Sequence, residues 1–150
     1  PDTWTCWIPI GDCPRELGGL TILKGSHHQG YLPIQPAKGA GGIAVPLCPN
    51  EVEWAEGDFE AGDVLTFPSY TIHKALRCQI KDQIRLSLDV RYQPADEVVE
   101  AKSLLPHSDL DWEQIYAGWK RDDLKYYWRK MALNYSPWDD AYLQPKRRIC

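Results

Sequence analysis

Hydrophobic and polar positions alternate most strictly over residues 84 to 92, "IRLSLDVRY". Ile84, Leu86, Leu88, Val90 and Tyr92 fall on one side of a strand; Arg85, Ser87, Asp89 and Arg91 fall on the other. The pattern predicts an antiparallel strand whose apolar side is buried, under helices. Its polar side is left to solvent or to a lined cavity, and alternation alone does not choose. Shorter apolar runs precede it. "WTCWIPI" starts at Trp4 and ends at Gly11-Asp12, "LTILKG" starts at Leu20, and "DVLTF" lies between Gly62-Asp63 and Pro68. Gly57-Asp58 and Gly62-Asp63 are turn dipeptides. A long Gly- and Pro-rich loop runs from the end of "LTILKG" to about residue 50.

After Pro94 the period becomes helical. Trp112, Ile115, Tyr116 and Trp119, then Leu124, Tyr127, Trp128 and Met131, predict two helices over 109–133, divided at Asp122-Asp123. Ser108 or Asp109 is the expected N-cap. The aromatic stripe reads as packing against the sheet rather than as a cofactor site. Many short strands followed by helices predict a mainly β fold, a sandwich or jelly roll. Residues 1–103 would form the jelly-roll core and 104–150 a helical tail of the same domain, covering the sheet.

Composition narrows the function. The 150 residues suffice for a real core, and 43% hydrophobic with 25% charged residues is ordinary for a globular protein. Seven Trp and eight Tyr supply rings for cores or cavity walls. Net charge is −4 and the one basic cluster is "KRR" at 146–148, which argues against nucleic acid as a partner. No apolar run reaches membrane-spanning length and no signal peptide is visible, so a membrane is not an expected partner either. The five cysteines (Cys6, Cys13, Cys48, Cys78 and Cys150) form no C-x-x-C pair. Scattered thiols suit a reducing compartment, and the cytoplasm is expected. The chain opens at Pro1 without Met, with a strand under way from Thr3, and is expected to be the later part of a longer protein.

Few residues are candidates for chemistry. His73 follows a strand, and Arg85 comes twelve residues later. His73 reads either as a metal ligand or as a structural histidine bonded to a backbone carbonyl. Arg85 reads either as a surface charge or as a bidentate carboxylate anchor. Placed on adjacent antiparallel strands, the two would share a cavity wall. His27 and His28 of "KGSHHQG" read as polar loop residues at a cavity rim. His107-Ser108-Asp109 spells H-x-D, the pattern of a facial iron site, but its position just before a helical segment favours capping. "KGAGG" lacks the ending of a phosphate-binding loop.

Four stretches in order, "TWTCWIPIGDCPRELGGL", "ILKGSHHQG", "GDVLTFPSYTIHKAL" and "IRLSLDVRY", together with "WEQIYAGWKRDDLKYYWRK", resemble the C-terminal part of the phytanoyl-CoA dioxygenase family. The resemblance covers nearly the whole chain. It implies a double-stranded β-helix and a non-haem Fe(II) and 2-oxoglutarate dioxygenase. His73 matches the family's distal iron-binding histidine, and Arg85 the basic residue that pairs with the far carboxylate of 2-oxoglutarate. Trp7 matches an aromatic position beside the cosubstrate, and Ser87 adds a hydroxyl contact. The family's other two iron ligands, an H-x-D pair, belong upstream of "TWTCW" and are not in these 150 residues.

The implied reaction consumes dioxygen and 2-oxoglutarate, releases succinate and CO2, and hydroxylates a C–H bond of a small molecule. No side-chain acid or base is needed for C–H abstraction, so no catalytic residue of that kind is assigned. By the same resemblance, these residues alone are expected to be inactive. The competing reading is a non-catalytic jelly-roll module that binds a small molecule or sugar among its aromatics. Neither substrate identity nor oligomeric state is legible.

Overall fold

The computed structural model describes residues 2–39, 42–47, 52–106 and 109–137. They divide into two compact units that meet in sequence at Gln93-Pro94. The fold is mainly β.

In the first unit, β1 (Trp4–Pro9), β2 (Leu20–Leu23), β3 (Gln35–Pro36), β4 (Ile43–Ala44), β5 (Trp54–Ala55), β6 (Leu65–Pro68), β7 (His73–Ala75) and β8 (Ser87–Tyr92) follow one another. Two three-stranded sheets result, ordered β6-β1-β8 and β5-β2-β7, with every pairing antiparallel. The segment after β2 carries a short 3-10 turn at Ser26–Gln29 and the β3–β4 hairpin.

β1 is built from aromatic and β-branched residues suited to a pleated surface, and it ends at Pro9, which has no N–H for the ladder. Directly opposed residues share a face. Trp7 opposes Leu65 on β6 and Asp89 on β8, while Thr5 opposes Phe67 and Arg91. That face meets the core, where Trp7, Phe67, Leu17, Leu20 and Cys13 form one buried cluster. Leu20 brings the second sheet into the same cluster, with Ile22 packed against it. The core therefore lies between the two sheets.

Four expectations change. The strand foreseen over 84–92 begins only at Ser87, so Arg85 lies two residues ahead of it; the ladder is extended by one bond, Ile10 N–H to the Leu86 carbonyl at 3.0 Å. The apolar side of that strand is not buried: Ile84 is 85% exposed and Leu86, Leu88 and Tyr92 are exposed too. Its register on β1 is the cause, because pairing Asp89 with Trp7 turns the polar side inward. Gly57-Asp58 is not a turn; Asp58 instead accepts the Arg15 backbone N–H at 2.7 Å. Gly62 does turn, at φ +102°.

The fourth change concerns the second unit. In place of two helices it holds one helical turn, α1 (Trp112–Tyr116), and short 3-10 turns at Ala101–Leu104, Asp122–Leu124 and Tyr127–Lys130. β9 (Val99–Glu100) and β10 (Tyr135–Ser136) pair in parallel. The N-cap of α1 is Asp111, not Asp109; Ser108 and His107 lie outside the described residues. Asp111 accepts the Gln114 N–H at 2.7 Å, and Gln114 Oε1 accepts the Asp111 N–H at 2.9 Å, a full capping box. The chain then turns at Gly118, and Tyr126 adopts φ +51°, which no continuous helix accommodates. The Arg121 side chain bonds Asp123 at 2.5 and 2.7 Å, a local contact that competes with helical hydrogen bonding. The aromatic spacing reflects a ring cluster. Trp112 stacks on Tyr116 at 5.3 Å and meets Trp128 at 4.9 Å, while Tyr116 meets Tyr126 at 4.9 Å.

Candidate functional site

Arg85, Ser87 and Trp7 come together on the inner side of the first sheet. Ser87 opposes Pro9 on β1, two residues from Trp7 and on the same face. Arg85 Nη1 donates to Ser87 Oγ at 2.5 Å. Its guanidinium lies over the Trp7 indole, 5.4 Å from the ring centroid. Trp7 is only 2% exposed and is held edge-on by Phe59 at 4.9 Å. Arg85 is half-buried, and no carboxylate among the described residues pairs with it. Further along β8, Arg91 and Asp89 satisfy each other at 3.3 Å. Beside Arg85 a groove of about 200 Å³ is bounded by Ile10, Gly11, Asp12, Leu17, Ile84 and Leu86.

The same guanidinium acts on Cys13, the buried thiol of the core. Burial pushes the Cys13 thiol up, and the Arg85 charge pulls in the opposite direction. Half-buried over the Trp7 indole, this cation is not on the sheet's outer side.

His73 comes from the other sheet. β7 pairs with β2, so His73 and Arg85 do not sit on neighbouring strands as expected. The register pairs His73 with Ile22, which packs on the core, so the imidazole is on the inward face of β7. There its ring lies 4.8 Å from the Phe67 ring of β6, across the space between the sheets. β7 is an edge strand among the described residues, and His73 is exposed. Nδ1 lies 2.9 Å from the Thr71 carbonyl oxygen. A carbonyl only accepts, so the proton is on Nδ1 and the Nε2 lone pair is available to a ligand. The structural reading of His73, a ring nitrogen bonded to a backbone carbonyl, is the one seen, and the other nitrogen is open. This is the arrangement that metal-binding histidines use.

The His27 and His28 rings lie 3.9 Å apart, tilted by 40°, within the 3-10 turn after β2. Among the described residues no group of three or more His, Cys, Asp or Glu side chains is placed to hold a metal ion. A larger hollow of about 500 Å³, bounded by Arg15, Leu76, Arg77, Cys78 and Gln79, contains none of the candidate residues. Arg15 there is already paired with Glu56. Arg77 also borders that hollow, and it is the smaller groove that holds a candidate residue, Arg85. Sequence reading missed Ser26 and Thr71, which anchor the His73 segment through backbone contacts; the adjacent histidines of "KGSHHQG" drew attention from the serine.

Residues 1–79 match the family model for phytanoyl-CoA dioxygenase. Two curated relatives are 1-deoxypentalenic acid 11-beta-hydroxylases from Streptomyces. The protein from Streptomyces arenae is 32% identical over 114 residues, covering 70% of this chain and 40% of the relative. The protein from Streptomyces exfoliatus is 27% identical over the same lengths. The chain thus spans about 40% of the length of the curated relatives it matches. Trp7, the 3-10 turn after β2 and His73 all lie within the family match, and the chain belongs to the phytanoyl-CoA dioxygenase family.

Proposed function

We propose that the protein is an Fe(II)- and 2-oxoglutarate-dependent oxygenase that hydroxylates a C–H bond of a small molecule. The two sheets would be parts of the family's double-stranded β-helix. The observation that carries the reading is Arg85: a half-buried guanidinium on a buried indole, bonded to Ser87 and lacking a carboxylate partner among the described residues. An unpaired charge at such a place is costly, and an anionic ligand relieves the cost. A dicarboxylate is suited, because the planar fork donates to one carboxylate in bidentate fashion.

His73 would give the metal one imidazole ligand through Nε2. Its tautomer is the one that ligation needs, which is the sense in which the residues present fit the group. When bound, Fe(II) would supply the site at which dioxygen gives one oxygen atom to the 2-keto acid, forming succinate and CO2, and the other to the substrate's C–H bond. The chain's own part is to orient. Arg85 and Ser87 would fix the far carboxylate, Trp7 would close the floor beneath it, and Phe67 would set the pitch of the His73 ring. No side chain needs to move a proton.

The Streptomyces relatives are named as hydroxylases of 1-deoxypentalenic acid, a carboxylic acid. We take a small natural product or metabolite as the substrate class here. The reduced Cys6, Cys13 and Cys78 suit the cytoplasm, and no helix among the described residues is long and apolar enough to cross a membrane. The test is conversion of 2-oxoglutarate to succinate by the full-length gene product with Fe(II) under air, compared with His73→Ala. Succinate formation that depends on His73 supports the reading; turnover undiminished in His73→Ala refutes it.

A further inference from the structure

The Thr71 and Ile72 backbone that leads into His73 is held by hydrogen bonds. The Thr71 N–H donates to the Pro68 carbonyl at 2.9 Å, closing the turn after β6. The Ile72 carbonyl accepts the Leu23 N–H at 2.8 Å, the last ladder bond from β2. The Ile72 N–H faces the Leu23 carbonyl across the same pair but does not donate to it directly. Its partner is a side chain instead. Ser26 Oγ accepts the Ile72 N–H at 2.9 Å and donates its own proton to the Leu23 carbonyl at 2.8 Å.

Ser26 is fully buried at 0% exposure, and its hydroxyl has both roles filled. It bridges the Ile72 N–H and the Leu23 carbonyl, closing the opposed pair that continues the β2–β7 register beyond His73. That register places the Thr71 carbonyl under the His73 ring. We infer that Ser26 is a positioning residue for His73: its buried hydroxyl clamps the 71–73 backbone so that the Thr71 carbonyl holds the imidazole as the Nδ1–H tautomer, with Nε2 directed to a ligand. The inference rests on His73 being a metal ligand for its purpose, but its geometry stands without metal.

Ring nitrogen-15 shifts of the protein labelled at histidine read the tautomer directly, with His73→Asn giving the assignment. At a pH where the ring is neutral, native His73 is expected to be mainly Nδ1–H. In Ser26→Ala the tautomer ratio is expected to fall by roughly fivefold, the worth of about one net hydrogen bond. Ser26→Thr keeps the hydroxyl and should restore it. A loss of stability alone would leave the ratio in the folded population unchanged, so the readout separates positioning from packing. Should Ser26→Ala fail to fold, the native protein still decides. His73 as mainly Nε2–H, or an Ile72 amide that exchanges as freely as an exposed loop amide, overturns the inference. A folded Ser26→Ala with the native ratio overturns it too. None of these outcomes bears on succinate formation, which tests the oxygenase reading separately.

Discussion

The guanidinium of Arg85 lies 5.4 Å above the ring of Trp7, and Trp7 is the most buried aromatic side chain among the described residues. One ring thus serves two purposes. It fills the space between the sheets, and it provides the face on which an unpaired cation rests. Such contacts contribute about 0.5–1 kcal/mol at exposed sites and ~2 kcal/mol when desolvated.

Replacing Trp7 with Ala should therefore cost about 3–5 kcal/mol of stability, from lost burial and the cavity left behind. Trp7→Phe keeps a ring in the cluster and should cost much less. Urea unfolding followed by circular dichroism measures both. Equal loss in the two variants would mean that the indole's volume, and not a ring at that place, holds the sheets.

Gly18 has φ +91°, and a Cβ there would stand 2.6 Å from the Leu76 carbonyl oxygen and 2.9 Å from the Cys78 nitrogen. Both are backbone atoms and cannot swing aside. Gly18→Ala should destabilise by at least ~1–3 kcal/mol through the left-handed backbone alone, with the close approach adding to it. Thermal unfolding of the variant at an unchanged midpoint would show that the chain relaxes there.

Asp111→Ala should cost about 1 kcal/mol, since it removes the side chain that accepts the Gln114 N–H. Because α1 is a single turn, the loss should appear as faster amide exchange over 112–116, with little change in the first unit. Uniform destabilisation of both units would contradict that localisation.

Alkaline pH should weaken the protein through Cys13. Burial is the main cause that raises its thiol, Asp58 and Cys78 add to the rise, and Arg85 opposes it. A thiol raised in the folded state binds its proton more tightly there than in the unfolded chain. Its contribution is full below the unfolded value of about 8.5 and is lost as pH rises through the folded value. The stability difference between the native protein and Cys13→Ala should therefore shrink as pH is raised above about 8.5. Denaturant titrations at several pH values check this, and a difference independent of pH contradicts it.

What could be read from the chain depended on how locally each feature is determined. β1, β2 and β6 were legible because aromatic and β-branched runs ended by Pro or Gly need little tertiary context. Arg85, Ser87 and Trp7 stood out through the resemblance, and their proximity comes from the register of β8 on β1. The inward turn of the polar side of β8 was not derivable from alternation. The Trp7–Asp89 pairing decides it, and a one-residue slip would reverse it. The helices after Pro94 failed because ring-to-ring packing around Trp112, Tyr116 and Trp128 mimics a helical period while the backbone turns at Gly118 and Tyr126. The sheet holding His73 was missed for a related reason: sequence neighbours β7 and β8 pair elsewhere.

The central claim is that Arg85 anchors a dicarboxylate. Calorimetric titration of 2-oxoglutarate into the full-length protein and into Arg85→Met, with circular dichroism as the control for folding, tests it most directly. A charge-assisted hydrogen bond contributes about 1.5–3 kcal/mol, so Arg85→Met should bind at least about tenfold more weakly. Arg85→Lys should recover part of the loss, because it restores the charge without the fork. Unchanged 2-oxoglutarate affinity in a folded Arg85→Met protein would contradict the account.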